Sequence, residues 1–200
     1  FSDIDRQNYS AGAATFGADG RRVILRYQGT LSVADGNTLA FGAEREANES
    51  GAQDSSINGY FALYEYRPVD PVTLTAGLRL DDHEQFGDET TARVAAAYNP
   101  TSALTLRASW GQGFKAPTIF QTTYICGFCG LTAPNAALRP ETSEAVDLGI
   151  EWRSASGRME MGASVFDQRS KDLIDFSFTA GYDNIARVDS RGTELYASVQ

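Results

Sequence analysis

The sequence is poor in the residues on which most catalytic and metal-binding sites depend. Its 200 residues include one histidine and two cysteines. Two cysteines cannot build a disulfide scaffold, and a single histidine, His83, leaves His-rich zinc sites and most His-based triads incomplete. No run of about 18 apolar residues is present, which excludes a transmembrane helix. Lysine and arginine number 17 against 26 acidic residues, and the cations are scattered along the chain. Nucleic-acid binding needs clustered cations, so this composition argues against it.

What the sequence does contain is apolar and polar residues alternating with a period of two, which is typical of strands with unlike faces. Between residues 72 and 81, for example, Val, Leu, Ala, Leu and Leu alternate with Thr, Thr, Gly, Arg and Asp. No segment is predicted to be helical. About ten strands are predicted, near residues 5–16, 22–33, 38–47, 57–66, 72–81, 91–98, 103–111, 143–152, 158–167 and 184–199.

The connections between these strands alternate between short and long. Short turns are predicted at residues 34–37, 67–71, 99–102 and 153–157, and long loops at 48–56, 82–90, 112–142 and 168–183. In an up-and-down antiparallel sheet, alternate connections lie at opposite ends, so one end would carry tight turns and the other long loops. Transmembrane β-barrels have this asymmetry. Alternation alone also fits a soluble β-domain whose apolar face is its core.

Aromatic residues stand where the two interfacial girdles of such a barrel would lie. Tyr98 and Trp152 end apolar faces beside short turns, whereas Trp110 ends an apolar face beside a long loop. The first residue, Phe1, opens no signal peptide, and the absence of a starting methionine suggests a piece of a longer chain.

Two segments superficially match motifs of other protein classes. The acids around His83 could ligate calcium, but their spacing differs from a calcium-binding loop, and a solvated acidic loop is favoured. Residues 111–116 fit the dinucleotide pattern GxGxxA, yet no helix is predicted after Pro117 to hold a pyrophosphate. The sequence therefore predicts no catalytic residue, no cofactor and no metal site.

Cys126 and Cys129 form a CxxC pair in the longest predicted loop. A four-ligand metal site would need two further ligands, and no other cysteines are present. Two alternatives remain, a local disulfide and a redox-active pair. The disulfide is favoured for a loop that passes through an oxidising compartment.

Several ordered segments resemble the β-barrel of TonB-dependent outer-membrane receptors. Residues 110–117 (WGQGFKAP) are similar to one conserved block of that family, and residues 138–143 (LRPETS) to the next. Residues 171–174, Asn184 and residues 191–195 follow in family order. The resemblance covers residues 57–199 and implies architectural roles for Gly111, Gly113, Phe114, Lys115, Ala116, Pro117, Pro140, Glu141, Gly192 and Glu194.

This resemblance implies an all-β, up-and-down transmembrane barrel of which the chain is a part, about 10 of about 22 strands, without the plug domain and the terminal strands. It implies a location in the Gram-negative outer membrane, in contact with lipid. It also implies uptake of a scarce ligand, driven by an inner-membrane TonB complex acting through the missing N-terminal part. Asp81, Asp82 and His83, with Phe86 and Gly87, are similar to a segment of cobalamin and siderophore receptors, which favours a metal chelate as cargo.

Within this frame, Phe120, Tyr124 and Phe128 offer aromatic surface for an aryl-rich chelate, with Cys126 and Cys129 bracing the loop tip. The alternative is that these aromatic rings pack within the protein. Three arginines are predicted to face the lumen, namely Arg79, Arg93 and Arg107. There they can attract an anionic chelate or pair with acids such as Asp147 and Glu151. A passive porin and an outer-membrane enzyme with a nucleophile near His83 are the rival functions.

Overall fold

A computed structural model describes residues 2–185 and 187–200, most of which form one antiparallel sheet of ten strands. Those strands are β1 (Ser2–Ser10), β2 (Ala13–Ala34), β3 (Asn37–Ser50), β4 (Gln53–Val69), β5 (Val72–His83), β6 (Gly87–Thr101), β7 (Leu104–Lys115), β8 (Glu141–Arg153), β9 (Met159–Lys171) and β12 (Arg187–Val199). Consecutive strands pair with each other from β1 to β9, and β9 pairs with β12 on its other side. The edges of the described sheet are therefore β1 and β12.

Smaller elements interrupt two connections of this sheet. Helix α1 (Ile119–Thr123) and a 3-10 turn (Gly127–Cys129) lie between β7 and β8. A separate hairpin, β10 (Ile174–Ser177) and β11 (Gly181–Asn184), lies between β9 and β12. Among the described residues, no helix is long and apolar enough to cross a membrane.

The strand register sorts the side chains into an apolar face and a polar face, as the alternation predicts. Leu74, Ala96, Ala108, Leu148 and Val165 form one continuous row across five strands. This face is exposed, with Leu148 at 53% and Val165 at 46%. Exposed apolar area of this extent is typical of a surface that contacts lipid or another protein rather than water.

The apolar face carries no packed core beneath it. Of the aliphatic, aromatic and cysteine side chains in the described residues, only Cys126 and Leu138 are buried, and both lie in the β7–β8 connection. A soluble domain of this size would bury many more. The structure therefore does not support the soluble β-domain, in which this face would be the interior.

The apolar side chains form a band that gives way to polar side chains along the same face of each strand. On β9 the last apolar residue is Val165 and the next residue on that face is Asp167, which pairs with Arg191 of β12. On β5 the switch falls between Leu80 and Asp82. We call this surface the apolar band. The sheet continues beyond it toward the end that carries the β7–β8 connection, which we call the loop end.

Two predicted long loops are wrong, because the strands continue through them. The β3–β4 ladder runs on to Ser50 and Gln53, leaving a two-residue turn instead of a loop over 48–56. Strands β5 and β6 likewise extend to His83 and Gly87. Beyond the apolar band both faces of a strand are polar, so pairing there needs no alternation and leaves no period-two signal.

The first predicted strand, 5–16, is also wrong, since it crosses a turn. Ala11 and Gly12 adopt positive φ values of 51° and 80° and connect β1 to β2. Alanine is an uncommon residue at such a position, so the sequence carries little turn signal there. The remaining predicted strands overlap observed ones. Asn184 belongs to β11 rather than β12, and residue 186, within the predicted strand 184–199, lies outside the described residues.

Candidate functional site

A cavity of about 750 Å³ lies between the polar face of the sheet and the segment that follows β7. The polar face contributes charged side chains from β2, β3 and β5, among them Arg22, Glu46 and Asp81. Residues 114–120 line the same cavity. The chain after β7 therefore folds back over the polar face and forms the roof of a charged chamber at the loop end.

Arg79 is the centre of the charge network in this chamber. Its Nε and Nη2 atoms donate to both carboxylate oxygens of Asp81 at 2.6–2.9 Å, and Nη2 lies 3.5 Å from Glu44 Oε1. The two acids are nearly buried, with side chains 8% and 14% exposed. Arg26 also pairs with Glu44. These ion pairs compensate charges that would be costly to bury alone.

Each of the three arginines predicted to face the lumen lies against a glycine of a neighbouring strand. A Cβ on that glycine would approach the arginine side chain to between 2.2 and 3.2 Å, so a larger residue would displace it. The pairs are Gly59 with Arg79, Gly77 with Arg93 and Gly149 with Arg107. Glycine on the polar face thus lets long cationic side chains lie flat across the sheet.

The three arginines differ in their partners. Arg107 Nη1 lies 2.6 Å from Glu151 Oε1, the pairing offered as an alternative by the sequence. Arg93 forms no ion pair with any residue that the structure describes, and it lines a smaller cavity of about 360 Å³ together with Phe61, Leu63 and Gln112. Arg93 is consequently a cation on the polar face that remains available to an anionic ligand.

His83 is buried, 5% exposed, at the loop end of β5 beyond the apolar band. Its Nε2 lies 3.2 Å from Ser55 Oγ, its Nδ1 accepts the backbone N–H of Gln85 at 3.1 Å, and its ring centroid is 5.0 Å from that of Phe86. Burial lowers the pKa of His83, and the carboxylates of Glu84 and Asp82 only partly oppose this effect. His83 is a packed, neutral part of the hairpin.

A pH dependence follows from that lowered pKa. The unfolded chain binds the proton with the ordinary histidine pKa of about 6.5 and the folded chain binds it less readily, so stability falls as the pH drops through about 6.5. We expect the full-length protein to lose more thermal stability between about pH 8 and pH 5 than a His83→Gln variant. A His83→Gln variant that loses more thermal stability than the parent over this pH range would contradict the neutral state assigned to His83.

The aromatic residues of the β7–β8 connection pack against the β10–β11 hairpin. The Tyr182 centroid lies 5.9 Å from that of Phe120, 5.6 Å from Tyr124 and 5.2 Å from Phe176. Phe128 contacts Phe176 and Phe178 at 6.3 and 5.9 Å. We call these six rings the aromatic cluster: Phe120, Tyr124, Phe128, Phe176, Phe178 and Tyr182.

Part of the aromatic cluster remains exposed. Phe120 is 49%, Phe128 69% and Phe178 76% exposed, so packing between the two segments leaves ring surface free. The two interpretations of the predicted aromatic residues are thus compatible, because the rings pack against a neighbour and still present a surface. Phe120 joins this surface to the charged chamber, which it also lines.

Polar contacts hold the same two segments together, and a disulfide braces the β7–β8 connection internally. Asn184 Nδ2 donates to the Arg139 carbonyl at 2.9 Å, and the Arg139 N–H donates to Asn184 Oδ1 at 2.8 Å. Asn135 Nδ2 donates to the Tyr182 carbonyl at 3.1 Å. A disulfide links Cys126 to Cys129, and Cys126 is 1% exposed. We call residues 116–140 together with β10 and β11 the loop cluster.

The other motif residues lie at the base of the loop cluster. Lys115 Nζ pairs with Glu141 Oε1 at 2.8 Å across β7 and β8, and Pro117 is buried next to them. Gly111 and Gly113 lie within β7. On the polar face of β12, Gly192 makes room for the Phe166 ring, and Glu194 lies opposite Ser164. Phe114 and Ala116 line the chamber, and Pro140 directly precedes β8.

Helix α1 corrects the prediction that no segment is helical. Thr118 caps it, accepting from the Gln121 N–H at 3.2 Å while the Gln121 side chain accepts from the Thr118 N–H at 2.9 Å. This capping box stabilises a helix of five residues, which is too short to show a helical period. Gly111 and Gly113 are separated from it by the end of β7, unlike the turn glycines of a dinucleotide site.

Sequence reasoning missed the hairpin half of the loop cluster. Residues 168–183 were expected to form a loop, whereas β9 extends to Lys171 and β10 and β11 follow. The available signal was the alternation of Ile174, Phe176 and Phe178, with Gly181 at the turn. Among the described residues, no group of three or more His, Cys, Asp and Glu side chains is placed to hold a metal ion.

Comparison with known proteins gives one family. The model of the family "TonB dependent receptor-like, beta-barrel" matches residues 2–200. The vitamin B12 transporter BtuB of Vibrio cholerae serotype O1 is 32% identical over 133 residues, covering 62% of this chain and 19% of that protein. The hemin receptor of Yersinia enterocolitica is 30% identical over 140 residues, covering 56% of this chain and 20% of that protein.

A solved structure gives the same fold. The crystal structure of the siderophore receptor PirA from Pseudomonas aeruginosa superposes with a TM-score of 0.79 at 24% identity, over 90% of this chain and 37% of that one. At this identity the likeness shows the fold alone. The chain spans about a fifth of the length of the curated relatives.

Proposed function

Because the chain belongs to the TonB-dependent receptor β-barrel family, whose members lie in the outer membrane of Gram-negative bacteria, we propose that it forms the wall and mouth of an energy-coupled uptake receptor. The cargo we propose is a scarce metal chelate. The relatives named as transporters or receptors for vitamin B12 and hemin support this class. A passive porin has no comparable support.

One observation carries the proposal: aromatic and cationic groups meet in one chamber at the loop end. Phe120 belongs to the aromatic cluster and also lines the chamber with Arg22 and Arg79. These two arginines are ion-paired with Glu46 and with Asp81 and Glu44, so an anionic ligand would compete with these acids for the arginines. A chelate with aromatic or planar groups and negative charge can use both kinds of surface, since rings stack and cations pair with anions. Arg93, which forms no ion pair with the described residues, supplies a free cation in the smaller cavity that Arg79 also lines.

Closure of the barrel requires strands beyond the ten described. Open edges at β1 and β12 would leave backbone N–H and C=O groups unpaired in hydrocarbon, at a cost of several kcal/mol each. We propose that other parts of the same protein supply these strands, to about 22 in all, together with a plug domain. The TonB complex would act through the N-terminal part of the full-length protein, and the apolar band would contact lipid.

The enzyme alternative has a specific contact in its favour, the Ser55–His83 pair. The tautomer argues against it. Since Nδ1 accepts the Gln85 N–H, a neutral His83 carries its proton on Nε2, and that atom donates to Ser55 Oγ. A histidine in this state cannot take the serine proton, as a general base must. We propose that the protein is not an enzyme, and a His83→Ala variant that retains uptake would agree.

The direct test identifies the cargo. The full-length parent protein would be purified in detergent from cells grown under iron limitation, and bound ligand released and analysed by mass spectrometry. We expect an iron chelate or a corrinoid. Recovery of a receptor that is monomeric in water without detergent would contradict the membrane assignment and with it the proposed uptake.

A matched pair of variants tests the loop cluster. Tyr182→Ala removes the ring that contacts Phe120, Tyr124 and Phe176, each contact contributing roughly 0.5–1.5 kcal/mol. We expect the affinity for the cargo so identified to fall by about tenfold or more. Tyr182→Phe keeps the ring and should bind within about twofold of the parent. Equal binding by both variants would show that the aromatic cluster does not shape the site.

A further inference from the structure

The β10–β11 hairpin needs an external anchor to hold its place at the loop end. It has four residue pairs and forms a sheet of its own, separate from the ten-strand sheet. A two-stranded hairpin is at best marginally stable in water when nothing packs against it. The hairpin nevertheless carries three rings of the aromatic cluster, Phe176, Phe178 and Tyr182. Whatever anchors the hairpin therefore decides where these rings lie.

The side chain of Asn184, at the base of the hairpin, supplies an anchor. Its Nδ2 donates to the Arg139 carbonyl at 2.9 Å and to the Asp172 carbonyl, and its Oδ1 accepts the Arg139 N–H at 2.8 Å. An asparagine amide has two N–H donors and one carbonyl oxygen, and Asn184 uses all of them on backbone groups. Arg139 lies shortly before β8, and Asp172 directly follows β9. One side chain thus fastens the hairpin to the ends of two strands of the sheet.

The chain needs such a bond at Asp172, because it leaves the sheet there. Asp172 adopts a φ of 54°, in the left-handed region that is uncommon for residues other than glycine. Lys171 is the last residue of β9 that pairs with its neighbouring strands, so the Asp172 carbonyl lies beyond both ladders. Asn184 Nδ2 supplies the donor that a neighbouring strand would otherwise provide.

The other links between the hairpin and the sheet are weaker. The Ile174 N–H donates to Glu141 Oε1 at 3.3 Å, and this oxygen also accepts from Lys115 Nζ at 2.8 Å. Arg139 pairs with Asp172 through side chains that are 68% and 33% exposed, and an ion pair so open to water contributes little. The ring contacts join the hairpin to the β7–β8 connection, which itself lies outside the sheet. Asn184 is therefore the main link to the strand ends.

The segments that meet at Asn184 are far apart in the sequence. Arg139 belongs to residues 138–143 and Asp172 to residues 171–174, two of the ordered segments that resemble TonB-dependent receptor barrels. Arg139 and Asn184 are 45 residues apart. The structure joins these separate segments through one amide.

We propose that Asn184 is a positioning residue for cargo binding, whose amide sets the position of the hairpin and hence of its three rings at the mouth. Tyr182 lies two residues before Asn184 on β11, so the ring and the anchor share one face of a short strand. Every bond of the Asn184 amide lies outside the ten-strand sheet, so a substitution moves the rings without breaking a ladder. The inference rests on the proposed function, because it requires the aromatic cluster to contact the cargo.

The test measures binding by the full-length receptor in lipid nanodiscs, with empty nanodiscs as the blank. The probes are hemin, cyanocobalamin and a ferric tris-catecholate, and the probe that the parent binds most tightly is used for every variant. N184D keeps the size of the side chain but turns a carboxylate toward two carbonyl oxygens, so we expect binding about tenfold weaker. N184S removes both Nδ2 donors without adding charge and should lose affinity to a similar extent.

A matched control adds the same charge at the opposite end of the sheet. Asn99 lies in the turn between β6 and β7, where its Oδ1 accepts from Thr105 Oγ1 at 2.8 Å. N99D keeps this acceptor oxygen and should bind the probe like the parent.

Two backgrounds show whether Asn184 acts through the rings. In Y182A the contribution of the ring is already lost, so adding N184D should weaken binding by less than about threefold. In R93Q the full tenfold loss should remain, because Arg93 lies in register with Gly111, four residues and roughly 13 Å below the end of β7. A general loss of structure would weaken binding equally in both backgrounds.

Three results would overturn the positioning role. These are equal binding by N184D and the parent, a tenfold loss in Y182A as well, and a lower unfolding temperature of the N184D barrel, read from the migration of heated samples on gels. If the parent binds a probe and N184D binds it equally well, only this inference fails. If the parent binds none of the probes, the proposed function fails with it.

Discussion

Replacing Arg79 with alanine is expected to destabilise the full-length protein by about 2–3 kcal/mol. The change leaves Asp81 without its bidentate partner, and Glu44 keeps only Arg26. Breaking a buried ion pair costs about 3–5 kcal/mol, and this figure is reduced because the Arg79 side chain is 36% exposed. Equilibrium unfolding in detergent measures the loss.

Two controls separate the ion pairs from the removal of one charge. Arg158 lies at a turn and forms no ion pair with described residues, so Arg158→Ala should change stability by less than about 0.5 kcal/mol. The double variant R79A/D81A should lose less stability than the sum of the losses of R79A and D81A, because it removes the unpaired carboxylate as well. Strict additivity would show that the Arg79–Asp81 contact contributes nothing.

The substitution A96R should prevent or strongly impair membrane assembly, whereas A95R should not. Ala96 lies on the apolar band, within the row that includes Leu74 and Ala108. Ala95 lies on the polar face, opposite Ser109. An arginine facing lipid costs up to about 2–4 kcal/mol, rising with its depth in the membrane, while an arginine facing the lumen is solvated.

The comparison is sharp because the two positions are adjacent and both carry alanine. The fraction of folded protein recovered from outer membranes, read from its migration before and after heating, measures the outcome. Equal assembly of A96R and A95R would contradict the assignment of the apolar face to lipid. Failure of A95R alone would mean that the two faces are exchanged.

Most of the sheet was predictable from sequence because a membrane imposes unlike solvents on its two faces. Residues 72–81 alternate throughout and residues 146–152 do the same, and the predicted strands 72–81 and 143–152 lie within β5 and β8. Where water lies on both faces that constraint disappears. For this reason the end of the β3–β4 ladder, up to the pair Ser50 and Gln53, leaves no period-two signal. Its backbone pairing is as regular as in the rest of that ladder.

The site was predictable in its composition and less so in its assembly. The aromatic residues of the β7–β8 connection and the lumen arginines were identifiable, because loop aromatics and polar-face cations stand out against their strands. Their partners were not. Tyr182 is more than 50 residues from Tyr124 in sequence, and contacts between connections follow no periodicity. Local capping bonds, as at Thr118, are likewise weak signals in a short segment.

The unequal construction of the loop end determines which side of the mouth can move. Strands β2 to β4 remain paired up to the turn at Gly51, so this wall can bend away only by breaking a backbone ladder. Residues 116–140 instead join the sheet at their two ends and through side-chain contacts to β10 and β11. Displacing residues 116–140 from the hairpin would therefore break a few such contacts and no backbone ladder, so it costs less than bending strands β2 to β4 away.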